Sequence, residues 1–120
     1  MEKLTHAEEQ TMQAVWQTGE GNIKSFMESM DNPPPYTTVA STIKNLEKKG
    51  YVTSRKIGNM YQYMPIVDEA EYKKNFLTNM VKNHFANSYK ELVSFFAEEK
   101  KISPKELKEI IEIIEKKGRK

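Results

Sequence analysis

The chain contains no cysteine. That excludes a disulfide framework, thiol catalysis and cysteine-ligated metal, and is compatible with a reducing compartment. Histidine is nearly absent as well. His6 and His84 are the only two, and neither stands in a metal-ligand spacing such as HExxH. Glycine is scarce at five residues, and no glycine-rich loop able to cradle a phosphate occurs. No apolar run approaches the about 20 residues needed to cross a bilayer. The opening MEKLTHAEEQ lacks the apolar core of a signal peptide. These absences leave no catalytic residues, no metal ligands and no cofactor motif to assign. They set the expectation of a cytoplasmic protein, not an enzyme, with no membrane partner.

What the chain does have is charge and helix-forming sequence. Its 120 residues are 38% hydrophobic and 30% charged, the balance of an ordered, largely helical protein of one or two small units. The formal net charge of +2 is unevenly spread. Residues 1–35 carry two lysines against six acids, or −4. Residues 36–65 carry Lys44, Lys48, Lys49, Arg55 and Lys56 against Glu47 alone, or +4. Residues 66–120 carry +2. Phosphate backbones respond to local basic surface rather than to total charge.

The segment Tyr36–Gly50, YTTVASTIKNLEKKG, coincides with the basic block. At about 100° per residue, Val39, Ile43 and Leu46 share one stripe of a helix, a stripe that requires a core. Thr38, Ser41, Thr42, Asn45 and Lys49 share another, with Lys48 at its edge. Short hydroxyl and amide side chains approach base edges and phosphates closely. The helix is expected to start near Thr37, a competent cap. It stops at Lys48-Lys49-Gly50, where cations and a glycine give the usual end signal.

Two helices precede it. Thr5 and Glu8 form a capping box, and Met12, Val15 and Trp16 supply a core face. Gly19 and Gly21 stop this first helix. Asn22 caps a second, with Ile23, Phe26, Met27 and Met30 at amphipathic spacing, and Pro33-Pro34-Pro35 follows as a stiff spacer. After Gly50 the period changes. Tyr51–Lys56 is rich in strand formers, Gly58-Asn59 is a two-residue hairpin signal, and Tyr61–Met64 returns as a second strand closed by Pro65. Three helices and then a hairpin is the order of a winged helix-turn-helix, whose third helix enters the major groove. Arg55 and Lys56 then fall where the hairpin, or wing, meets phosphates.

The sequence is helical again from Asp68. Phe76, Met80 and Phe85 lie on a fourth helix, Leu92 and Phe96 on a fifth capped by Ser88. Leu107, Ile110, Ile111 and Ile114 lie on a sixth that opens with Ser103, Pro104 and Glu106. This is too much apolar surface for so small a unit to bury alone, and a second copy of the chain is the economical partner. The predicted architecture is therefore mostly α with a small β-hairpin wing. A winged helix-turn-helix DNA-binding domain occupies residues 1–66 and a helical dimerisation domain residues 67–120.

Three stretches carry a family resemblance: LTHAEEQTMQAVW (Leu4–Trp16), YTTVASTIKNLEKKGYV (Tyr36–Val52), and the wing Arg55, Gly58 and Tyr61-Gln62-Tyr63-Met64-Pro65. Together they resemble the BlaI/MecI/CopY family of bacterial repressors, the penicillinase and methicillin-resistance repressors and their copper-responsive relatives. The resemblance implies a homodimeric transcriptional repressor bound to an inverted-repeat operator in double-stranded DNA. By position, Tyr36, Thr37, Thr38, Ser41 and Thr42 carry over as recognition-helix contacts and Arg55 as a wing contact. Lys44 and Lys48 form a further group of carry-overs. Asn45 rests on its place in the polar stripe, and Lys56 on its place in the wing.

This chain departs from the family in three places. It has Gly58-Asn59 where the family often has Gly-Arg. The C-terminal cysteines of the copper-responsive branch are absent, which excludes copper sensing by that route. The antibiotic-responsive branch is released by a regulatory protease that cuts a C-terminal helix. The corresponding stretch here is near Ser94-Phe95-Phe96, and its residues do not match the cut site.

Two other functions suit the same pattern: a winged-helix module that binds protein, and a ligand-sensing regulator of another winged-helix group. The first would show exposed apolar residues in place of the polar stripe, Lys48, Lys49, Arg55 and Lys56. The second requires an apolar pocket.

Overall fold

The computed structural model describes residues 2–118, with side chains described through residue 112. Its element order is α1 (His6–Thr18), α2 (Ile23–Glu28), α3 (Tyr36–Lys48), β1 (Val52–Ile57), β2 (Met60–Pro65), α4 (Glu69–His84), α5 (Tyr89–Glu98) and α6 (Pro104–Gly118). The chain divides into two units, residues 1–73 and 74–120. The first holds α1–α3, the hairpin and the start of α4, which is the winged-helix arrangement.

Local chemistry sets most of the element ends. Thr5 and Glu8 form the reciprocal capping box of α1: the Glu8 amide donates to Thr5 Oγ1 at 3.2 Å and the Thr5 amide donates to Glu8 Oε1 at 2.8 Å. Asn22 caps α2 by accepting from the Ser25 amide at 2.9 Å. The C-terminus of α3 is a Schellman motif. Gly50 takes φ +83°, its amide donates to the Glu47 carbonyl, and the Tyr51 amide donates to the Leu46 carbonyl. Tyr51 and Val52 therefore enter the core directly after the helix.

The start of α3 differs from the expectation. The N-cap is Pro35, with no side-chain cap, and Thr37 lies inside the first turn. The proline run holds Pro35 extended, at φ −56° and ψ 151°, so its carbonyl meets the Thr38 and Val39 amides and the cap falls two residues before Thr37. α2 is also shorter than its apolar spacing suggests and ends before Met30.

The hairpin is antiparallel, from Val52 opposite Pro65 to Ile57 opposite Met60. Gly58 takes φ +62° at the first turn position, where a type II′ turn calls for glycine. Alternation turns Val52 and Tyr63 inward, both buried. Gly21 adds an isolated bridge to Tyr63, with N–H to O distances of 3.0 and 2.7 Å. A Cβ at Gly21 would lie 2.3 Å from Ser25 Oγ, 3.2 Å from the Phe26 ring and 3.3 Å from Thr18 Cγ2, so a side chain there would press on α1 and α2.

The core of the first unit joins Leu4, Met12 and Val15 to Ile23 and Phe26, to Val39, Ile43 and Leu46, and to Tyr51, Val52 and Tyr63. Val67 and Tyr72 pack against it, which is why this unit extends into α4. The Trp16 indole donates to the Val67 carbonyl at 2.9 Å and lies 5.4 Å from the Tyr72 ring. Tyr72 in turn donates its hydroxyl to Glu9.

The second unit contains the rest of α4 with α5 and α6. Ser88 caps α5, and Ser103 and Glu106 form the capping box of α6. α5 ends in a second Schellman motif, here with Lys100 at φ +59° in the glycine position. Phe85, Phe95 and Phe96 are in edge contact. Val81 is the one fully buried apolar side chain among the described residues of this unit, whereas Leu77, Val93, Phe96, Ile110 and Ile111 stand exposed.

Candidate nucleic-acid interface

α3 has a buried face and an exposed one because its inward residues repeat at helical spacing. Val39, Ile43 and Leu46 are 0–1% exposed, and each contributes about 1.5–3 kcal/mol relative to an exposed position. That burial fixes the helix about its own axis. It leaves Tyr36, Thr37, Thr38, Ser41, Lys44, Asn45 and Lys48 on the outside. Thr42 belongs to neither set. It is 9% exposed, and its hydroxyl donates to the Thr38 carbonyl at 2.8 Å. The Ser41 hydroxyl donates to the same carbonyl at 3.0 Å. Both hydroxyl protons are thus engaged, and Ser41 presents acceptor lone pairs outward. Asn45, with donors and acceptor on one amide, is the most versatile hydrogen-bonding group of the exposed row.

The basic block is less free than its formal charge. Helical spacing puts Lys49 on the polar row, but the side chain turns inward. Lys49 Nζ lies 2.6 Å from Glu8 Oε1 and 3.0 Å from the Lys3 carbonyl. The Glu8 side chain is 6% exposed and Lys49 23%. Burial alone would raise the Glu8 pKa, but the Lys49 ammonium and the Thr5 amide and hydroxyl outweigh it and hold the carboxyl below its ordinary value. Burial, and then Glu2, Glu8 and Glu9, push the Tyr51 hydroxyl up, and it donates to the Glu2 carbonyl. The C-terminal end of α3 is thereby strapped to the N-terminal segment.

On the hairpin, Arg55 and Lys56 are both exposed. Arg55 Nη2 lies 2.5 Å from Glu20 Oε1. Lys56 sits 6.0 Å over the Tyr61 ring. The Ser54 hydroxyl donates to Glu47 Oε2 at 2.7 Å, which occupies the sole acid of the basic block. Among the described residues, Lys44, Lys48 and Lys56 are the cations of this block with no ion pair.

Sequence periodicity does not reveal that Glu8 and Glu20, from the acidic N-terminal block, each neutralise one cation of the basic block. The only local sign of Glu8 is its capping position, and that accounts for just one of its two bonds.

His6 and His84 are exposed. No group of three His, Cys, Asp or Glu able to hold a metal occurs among the described residues, and no helix there is long and apolar enough to cross a membrane. An open cleft of about 320 Å³ is lined by Trp16, Pro65, Ile66, Val67, Asp68 and Glu69. Its walls mix apolar groups with two carboxylates.

The residues expected to pair two chains are distributed as follows. Phe76, Phe96, Ile110 and Ile111 are exposed, and Met80, Phe85, Leu92 and Leu107 are half-buried. The side chain of Ile114 lies outside the described residues.

Comparison with known proteins gives one answer. The family described as Penicillinase repressor matches residues 4–116. The methicillin resistance regulatory protein MecI of Staphylococcus aureus strain N315 is 24% identical over 117 residues, covering 96% of this chain and 95% of that protein. The MecI protein of Staphylococcus epidermidis aligns to the same extent. The penicillinase repressor of Bacillus licheniformis is 25% identical over 118 residues, covering 94% of this chain and 90% of its own.

Proposed function

The chain belongs to the penicillinase repressor family, a family of transcriptional repressors, and from that premise we propose that it acts as a homodimer on an inverted-repeat operator. In this reading residues 1–66 bind double-stranded DNA and residues 67–120 pair the two chains. α3 enters the major groove. Thr38, Ser41 and Asn45 meet base edges, and Thr42 joins them once its hydroxyl leaves the Thr38 carbonyl. Tyr36, Thr37 and Lys48 contact the flanking backbone, and Arg55 and Lys56 hold the neighbouring phosphates from the wing.

The observation that carries this proposal is the outer row of α3. A helix immobilised by three fully buried side chains, with short polar groups and an unpaired lysine outward, suits close approach to a groove. The two uncapped amides at its start, those of Tyr36 and Thr37, also favour a phosphate. Dimerisation is supported by the second unit. One fully buried apolar side chain among the described residues is little core for three helices, and Phe96, Ile110 and Ile111 offer further contacts if a second copy covers them. A two-fold dimer would match half-sites about one helical turn apart, or a multiple of that.

A regulatory protease would be a further partner. Its target near Ser94-Phe95-Phe96 lies within α5, so α5 would have to unwind before an extended substrate could be cut.

The test is selection of bound DNA from random fragments by the purified full chain. An inverted repeat is the expected product. Recovery of single half-sites would remove the dimer, and absence of any enriched sequence would remove base readout by α3.

A further inference from the structure

The Arg55–Glu20 contact is held in place by backbone. Glu20 stands between two fixed glycines. The Gly19 amide donates to the Val15 carbonyl at 2.7 Å as the C-cap of α1, and Gly21 exchanges both backbone hydrogen bonds with Tyr63 of β2. A Cβ at Gly21 would crowd Ser25, Phe26 and Thr18. The α1–α2 turn is therefore stitched to the wing, and its one carboxylate is delivered to the wing by backbone geometry. On the hairpin, Arg55 faces Gln62 across the strands, on the side opposite the buried Tyr63. Its side chain is 60% exposed, yet the anion it touches is Glu20, from the same chain.

We infer that Glu20 is a built-in competitor of DNA phosphate for Arg55, which lowers backbone affinity without altering sequence preference. The inference rests on the proposed DNA-binding function. A phosphate approaching Arg55 either displaces the carboxylate or shares the cation with it, and in both cases two anions converge on one guanidinium. The effect is uniform over DNA sequences, because a backbone contact reads no base. It limits how long the wing grips any duplex, operator or not.

Two variants separate charge from aim. Glu20→Gln keeps the side-chain length and one acceptor oxygen, so Arg55 remains oriented while the negative charge is gone. Glu20→Ala removes both. The full-length chain is titrated with a mixed-sequence DNA duplex of about 30 base pairs at several salt concentrations, and the titration is repeated with the DNA recovered by selection. E20Q is expected to tighten binding to both duplexes by the same factor, about two- to five-fold per protomer, the range of an exposed ion pair. The slope of log affinity against log salt is expected to steepen by up to about 0.9 per protomer, one further phosphate neutralised. In an Arg55→Ala background the gain from E20Q is expected to shrink.

Weaker binding by E20Q would overturn the inference by making Glu20 a support that aims Arg55 at phosphate, and E20A would then be weaker still. A gain that persists in full without Arg55 would reduce Glu20 to a distant like charge, which also overturns it. A gain on one duplex only would do the same. Failure of every variant, wild type included, to bind either duplex would remove the DNA-binding proposal and this inference with it. That outcome differs from any in which wild type binds.

Discussion

Replacing Glu8 with alanine removes two contacts made by one oxygen: the bond from the Thr5 amide at 2.8 Å and the ion pair with Lys49 at 2.6 Å. The magnitude lies between two known limits. Exposed ion pairs contribute about 0.2–1 kcal/mol, whereas stripping one partner from a fully buried pair costs about 3–5 kcal/mol. Here the carboxylate is shut away, but Lys49 is 23% exposed and keeps the Lys3 carbonyl at 3.0 Å, so the ammonium is not stranded. With the lost half of the capping box included, the expected cost is about 1.5–2.5 kcal/mol. In a unit that ends at Lys73, that corresponds to a fall in Tm of roughly 6–20 °C.

The assay is urea denaturation at pH 7 followed by the fluorescence of Trp16, the single tryptophan, which packs against the core of this unit. A pH series adds a second arm. The folded carboxyl titrates below its ordinary value of 4.5. Its stabilising contribution is therefore complete above that value and is lost as pH falls through the lower folded value. Glu8→Gln, which cannot titrate, is expected to have a flatter stability profile below about pH 4.5 than wild type. A loss smaller than about 0.5 kcal/mol in Glu8→Ala, or a glutamine variant with the full wild-type acid slope, would refute the claim that this pair is protected from solvent.

Lys48→Ala is expected to flatten the salt dependence of DNA affinity by up to about 0.9 in log–log slope per protomer, and an unchanged slope would remove Lys48 from phosphate contact. Asn45→Ala is expected to relax sequence preference by about 1–3 kcal/mol at one operator position while leaving the salt slope alone; repeat selection with the variant checks it, and an unaltered base profile would exclude Asn45 from direct readout. Ile111→Asp places a charge on the exposed apolar row of α6, and sedimentation equilibrium is expected to shift from dimer to monomer; a persisting dimer would locate the pairing surface elsewhere. Lys100→Gly is expected to stabilise the second unit by about 0.5–1 kcal/mol in thermal melts, because Lys100 occupies a left-handed conformation, φ +59°, that costs a side chain about 1–2 kcal/mol.

Each element was legible in the sequence where its signal was local. Thr5 with Glu8, Gly50 after two lysines, Gly58-Asn59 between strand formers, and Ser103 with Glu106 all act within a few residues, and each marks a boundary the structure contains. The start of α3 differs from the sequence expectation because its start signal is geometric. Proline caps there by holding a carbonyl in place, and Thr37 is a better cap by chemistry alone. The electrostatics of the interface were the least legible. Lys49 and Arg55 meet carboxylates 41 and 35 residues away, and Trp16 meets a carbonyl 51 residues away. No periodicity reports such pairings, so the +4 block looks more open in sequence than it is. The double engagement of the Thr38 carbonyl by Ser41 and Thr42 is likewise a matter of rotamers, beyond what spacing encodes.

The separation of faces on α3 bears on how such a helix changes over generations. Val39, Ile43 and Leu46 hold the fold, while Thr38, Ser41 and Asn45 are exposed, so the outer row is free to drift to new partners with little loss of stability. Thr42 is the exception, because it is buried and bonded to its own helix while sharing an edge with the outer row. A lineage that alters its target by way of position 42 must repack the helix as it does so. One that works through positions 38, 41 and 45 need not. Collections of functional variants should accordingly be diverse at those three positions and conservative at 42, and the same division marks where a designer can rewrite the surface without rebuilding the protein.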